Sequence, residues 1–149
     1  MTSISYDMSK NRSKKILVAL DGSKNSIRAL RKAIELANQT HSSITGLMII
    51  QNSPSETDII RTMIKNAIIK HHKDFFKIAK NMCTKNGVSF LDVIEFGEEG
   101  NTIVSFAQKN NFDLIVMGSG GLGKIGEIFL GSTSNYVMHS SKLPVLIVK

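Results

Sequence analysis

Apolar residues fall along this chain in two alternating patterns: short, nearly continuous runs, and longer stretches where they recur every three or four positions. The first run, Lys15-Ile16-Leu17-Val18-Ala19-Leu20, is stopped by Asp21-Gly22-Ser23. It reads as a strand buried on both faces, as in a parallel sheet. Ile27, Leu30, Ala33, Ile34 and Ala37 then repeat at helical spacing, with Arg28, Arg31, Lys32 and Glu35 facing water and Asp21 or Ser23 available as the cap. Ile44 to Ile50 is a second strand, in which Gly46 marks a close packing contact.

After a loop containing Pro54, a helical pattern extends to about Asn86, with Ile60, Ile64, Ile68, Phe75, Ile78 and Met82 in period and a break allowed near His71-His72. Gly87 is its natural stop. Val88 to Ile94 forms a third strand, and Gly97-Glu98-Glu99-Gly100 opens a helix with its acidic pair at the positive end of the dipole. Ile103, Phe106 and Ala107 face inward on that helix, which ends near Asn110-Asn111. Asp113 to Met117 is a fourth strand; a helix from about Ser132 to Ser140 and a fifth strand, Val145 to Val148, follow. Strands alternating with helices predict an α/β domain over residues 14–149, a five-stranded parallel sheet with helices on both faces. Residues 1–13 carry no periodicity and read as a flexible tail.

Composition narrows the function classes. At 149 residues the chain is long enough for one domain with a core of its own. Cys83 is the only cysteine, so an internal disulfide and a cysteine-rich metal site are excluded, and its setting on the long helix marks it as a core residue. The four histidines show no ligand spacing; His71 and His72 are adjacent and splay apart on a helix. No apolar run reaches membrane-spanning length and the first residues are not a secretory signal, so a cytoplasmic location is the expectation. A net charge of +7 suits an anionic ligand. The lysines are spread along a helix without aromatic or arginine clusters, which argues against nucleic acid.

The candidate chemistry lies in Met117 to Thr133, MGSGGLGKIGEIFLGST. Glycine lets the backbone approach a ligand closely, and a helix opened by small hydroxyl residues presents free N–H groups to an anion. Gly118-Ser119-Gly120-Gly121-Leu122-Gly123 satisfies G-x-G-x-x-G but follows the fourth strand, and no acidic residue occurs after Glu127 to hold a ribose. Gly118 to Lys124 satisfies the start of a P-loop, but Ile125 stands where a magnesium-binding Ser or Thr is needed. The pattern that fits throughout is Gly118, two residues, Gly121, nine residues, Gly131-Ser132.

With this pattern, the opening Lys15 to Ser23, Asp113 to Ser119, Gly97 with Ile103 and Ala107, and the closing Leu143-Pro144-Val145-Leu146-Ile147-Val148 resemble the universal stress protein family, and specifically its ATP-binding branch. The resemblance implies a Rossmann-like sheet of order 3-2-1-4-5 and a homodimer formed through the last strand. It implies ATP, with or without Mg2+, as the bound cofactor. Asp21 and the backbone around Ile49 would hold the adenine and ribose end, with Gly118 against the ribose and Ala19 and Met117 also at the nucleotide. Gly121, Gly131, Ser132, Thr133 and Ser134 would wrap the phosphates, with Lys124 placed to add charge. Two positions depart from the family's common pattern: Met48 stands where His is frequent and can alter adenine packing, and Glu99-Gly100 replaces a common Pro-Ala.

The functional expectation is a nucleotide-dependent stress-response or signalling module with slow or no hydrolysis. AMP or cyclic AMP in the same pocket, and a partner-dependent ATPase, are the alternatives. Near the loop only Lys124, Glu127 and His139 could serve catalysis, and no spacing argument supports any of them.

Overall fold

The structure is a computed structural model that describes residues 14–51, 58–120 and 130–149. The expected tail at 1–13, Pro54 and its loop, and the stretch holding Gly121, Lys124 and Glu127 lie outside the described residues. In chain order the elements are β1 (Lys15–Ala19), α1 (Lys24–Thr40), β2 (Ser43–Ile50), α2 (Asp58–Lys85), β3 (Phe90–Phe96), α3 (Glu99–Lys109), β4 (Leu114–Gly118), α4 (Ser132–Ser140) and β5 (Val145–Val148). All strand pairs are parallel, in the order β3-β2-β1-β4-β5. This is the expected Rossmann-like sheet, with its reversal of order between β1 and β4.

Side-chain alternation on the central strand explains why both faces need cover. Ile16 and Val18 enter one core with Leu30 and Ile34 of α1 and Phe76 and Ala79 of α2. Leu17 enters the other with Ile103 and Ala107 of α3, Ile115 of β4 and Val137 of α4. Leu17 and Val18 are both fully buried. Burying side chains of this kind contributes about 1.5–3 kcal/mol each, which is why a doubly apolar run must be an interior strand.

The helix termini follow from local chemistry. Ser23 caps α1, its Oγ accepting from Ser26 N at 3.1 Å, while Asp21 Oδ1 accepts from Ser23 N at 2.8 Å and holds the turn before it. Of the two residues able to cap, Asp21 therefore shapes the approach and Ser23 makes the cap. Glu98 caps α3 through both carboxylate oxygens, accepting from Gly100 N at 3.0 Å and Asn101 N at 2.8 Å.

The structure departs from the sequence expectation in three places. β3 begins two residues later than expected, because Val88 N donates to Cys83 O at 3.0 Å and closes the end of α2 before the strand starts. The fourth strand starts at Leu114; Asp113 Oδ2 accepts from Lys15 N at 2.8 Å, tying the starts of β4 and β1 together. The long helix runs unbroken past His71-His72, and its buried face is Phe76, Ala79 and Cys83. Ile60 and Ile64, expected to face inward, are exposed because only the second half of α2 lies on the core, and Ile78 is exposed because it falls off the face that carries Phe76, Ala79 and Cys83.

Cys83 is buried as expected, and burial pushes its thiol up to about 11, so it is protonated at neutral pH. No helix among the described residues is long and apolar enough to cross a membrane.

Candidate functional site

The carboxyl ends of β1 and β4 diverge at the reversal of strand order, where open α/β sheets place their ligand crevice. A cavity of about 430 Å³ opens there, within the range of small-molecule sites. Its floor is Ala19 and Leu20 of the β1 end with Leu47 and Ile49 of β2, and Met117 and Gly118 end β4 on the other side. Gly131 to Ser134, the first turn of α4, close the far wall.

The end of β4 and the start of α4 are joined by a compact set of bonds around Ser119. Ser119 N donates to Val148 O at 3.0 Å, and Ser119 O accepts both Gly131 N at 2.7 Å and Ser134 Oγ at 2.9 Å. The start of α4 is thereby fixed against the end of β4. Gly131 is its N-cap and supplies no side-chain cap bond, which leaves first-turn N–H groups without an intrahelical partner, and the positive end of the helix dipole, at the cavity wall. Asn25, in the first turn of α1, donates from Nδ2 to Gly120 O at 2.6 Å and receives a bond from Arg28. This holds the backbone after β4 down onto α1.

All the residues expected at the site line this one cavity except Gly121 and Lys124, which lie outside the described residues. Their availability differs. Ser132 is exposed, whereas the buried Ser134 hydroxyl is engaged by Ser119 O and by Gly131 O at 3.0 Å and so belongs to the scaffold. Thr133 Oγ1 donates to Glu99 Oε2 at 2.9 Å, which brings a carboxylate beside the first turn of α4. Met48 is absent from the lining and fully buried in the α1–α2 core, so its departure from the common pattern is a matter of packing and not of the base pocket.

Sequence reasoning missed three contributors. Asn25 and Glu99 act through partners 95 and 34 positions away, which no local pattern signals. The third is His72, which α2 brings to the cavity wall. Its Nδ1 is buried without a hydrogen-bond partner. Burial, and then the neighbouring His71 charge, hold its pKa below the ordinary histidine value, so the imidazole is neutral at physiological pH.

The sequence profile described as the Universal stress protein family matches residues 12–149. The chain belongs to the universal stress protein family. Universal stress protein YxiE of Bacillus subtilis is 32% identical over 145 residues, a match covering 91% of this chain and 98% of that protein. Among solved structures, MJ0577 of Methanocaldococcus jannaschii superposes with a TM-score of 0.83 at 28% identity, covering 91% of this chain and 95% of that one. A universal stress protein solved in complex with cAMP has a TM-score of 0.69 at 25% identity and covers 91% of this chain and 96% of its own. The chain thus carries the family's fold, with a crevice at the β1–β4 reversal.

Proposed function

We propose that this protein belongs to the ATP-binding branch of the family and acts as a nucleotide-dependent stress-response or signalling module. The observation that carries this reading is the Ser119 clasp, which sets the start of α4 beside the end of β4 over an apolar floor. Backbone N–H groups and the hydroxyls of Ser132 and Thr133 suit a phosphate chain, and Ala19, Leu47 and Ile49 suit a flat base. Asp21 at the β1 end offers a carboxylate acceptor for a base amino group or ribose hydroxyls. A Mg2+ ion shared with the phosphates would find Glu99 among the described cavity carboxylates. Among the described residues, the groups at the phosphate end are positioning groups and none is arranged as a base with a transition-state cation; the activity we propose is binding with slow or no hydrolysis. Calorimetric titration of ATP into nucleotide-free protein tests the reading: saturable binding to one site per chain is expected, and its absence would overturn it.

The relative solved with cAMP favours one second reading, AMP or cyclic AMP in the same pocket. Competition decides between them, because a cyclic nucleotide that displaces ATP only at great excess leaves ATP as the ligand.

We also propose a homodimer through β5. This strand ends the sheet, and Val145 to Val148 are all partly exposed, an apolar template that pairing with a second copy would cover. Sedimentation velocity at micromolar concentration is expected to show a two-chain species, and a strict monomer would refute it.

A further inference from the structure

We propose that Glu99 makes this site selective for a metal-complexed nucleotide, its carboxylate disfavouring a bare triphosphate and accepting one whose phosphates carry a divalent cation. The inference rests on the adenine-nucleotide reading above and adds the form in which the nucleotide binds. A triphosphate is a polyanion, yet the described lining of the cavity contains two carboxylates, Asp21 and Glu99, and no lysine or arginine. His72, the remaining titratable group of that lining, adds no charge at neutral pH, because burial and then the His71 charge lower its pKa. The N–H groups opening α4 contribute only the partial charge of a helix end.

The two carboxylates are held at different places. Asp21 Oδ1 accepts from Ser23 N at 2.8 Å, in the turn that follows β1. Glu99, the first residue of α3, is tied to the first turn of α4 by the 2.9 Å bond from Thr133 Oγ1. It is partly buried and lines the cavity together with Ser132 and Thr133. An anion drawn to the free N–H groups of that turn is therefore drawn toward a carboxylate as well, and like charges within about 4–6 Å disfavour each other. With a divalent cation on the phosphates the sign of the interaction reverses. Mg2+ is ordinarily held by one or two carboxylates together with substrate phosphates, and Glu99 supplies such a hard oxygen. Among the described residues no three His, Cys, Asp or Glu side chains come together as a metal site, so in the described part of the cavity the phosphates complete the ligand set.

The test is calorimetric titration of ATP, with adenosine as the uncharged control, into wild type, Glu99→Gln and Glu99→Ala. Each titration is run at one ionic strength, once with excess Mg2+ and once with EDTA, and the thermal midpoint of each free protein is measured alongside. Gln removes the charge but keeps an acceptor oxygen for Thr133, whereas Ala removes both. Wild type is expected to bind ATP at least about tenfold more tightly with Mg2+ than with EDTA, the effect of one partly screened charge contact. In both variants that ratio is expected to fall below about threefold, mainly because ATP in EDTA binds more tightly than it does to wild type. Adenosine is expected to bind all three proteins equally, with or without Mg2+. A full ratio retained in Glu99→Gln would overturn the proposal, and its loss in Glu99→Ala alone would assign the effect to the Thr133 bond and overturn it too. So would a uniform loss of ATP and adenosine binding in Glu99→Gln with a lowered midpoint, which would make the residue structural. Equal affinity of wild type for ATP in Mg2+ and in EDTA would overturn the selectivity and leave the adenine-nucleotide reading standing. If wild type binds neither ATP nor adenosine under either condition, that reading itself fails, and the role of Glu99 with it.

Discussion

Gly46→Val is expected to lower the thermal midpoint by roughly 5–10 °C, from an overpacking cost of about 2–3 kcal/mol in a domain of this size. Gly46 lies in the middle of β2, paired with Val18 on one side and Asp92 on the other. A Cβ there would sit 2.7 Å from Phe90 Cζ and 2.8 Å from Leu20 Cδ1. Leu20 is buried in the core and the partly buried Phe90 packs against Phe76 with ring centroids 6.3 Å apart, so both side chains must move from packed positions to admit the added group. The strand cannot shift to make room without breaking two parallel ladders. Differential scanning calorimetry checks this, and a midpoint within a degree of wild type would show that the two side chains yield freely.

Gly118→Val is expected to reduce ATP affinity at least about 100-fold, equivalent to about 2.7 kcal/mol. The conflict here is with backbone. A Cβ on Gly118 would lie 2.8 Å from Asn25 Cβ and 3.0 Å from both Asn25 C and O. Relief requires the end of β4 to part from the first turn of α1, which removes the Asn25 bond to Gly120 and displaces Ser119, the residue that both Gly131 and Ser134 bind. One substitution therefore disturbs both segments that we propose to face the phosphates. Gly118→Ala, the smaller change, serves if the valine variant does not fold. An affinity within threefold of wild type in a folded variant would mean that the clasp is not what shapes the site.

The fold is legible in the sequence wherever a strand is buried on both faces. Ile16-Leu17-Val18 and Ile115-Val116-Met117 have no alternative reading as short apolar runs bounded by turn residues, and the helices between them carry clear periods. Legibility fails at the margins of the sheet. β3 is an edge strand whose side chains are exposed or only partly buried, so its apolar pattern is weak and its start lies two residues beyond the expected one. α2 misleads for a related reason: Ile60, Ile64 and Ile78 keep helical spacing, but spacing does not say which part of a helix lies on the core, as for Ile60 and Ile64, nor which of two apolar faces does, as for Ile78.

The site divides along the same line. Its glycine and serine framework follows from what a backbone needs in order to approach an anion, and these residues stand at fixed spacings in the chain. Asn25, Glu99 and His72 owe their positions to the tertiary fold. Each looks locally like an ordinary helix residue, and only the tertiary fold brings Glu99 and His72 to the cavity and Asn25 to Gly120 at its edge.

Whether the Gly118 and Gly131 segments form one adenine-nucleotide pocket is decided by titrating ATP calorimetrically into nucleotide-free wild type and Gly131→Val side by side. A Cβ on Gly131 would lie 3.3 Å from Gly120 Cα and 3.6 Å from Ser119 O, wedging apart the two segments that the clasp joins. The expected result is saturable binding at one site per chain in the wild type and its loss in a variant that remains folded. Absence of binding to the wild type, or unchanged affinity in Gly131→Val, would mean that the two segments do not make such a pocket.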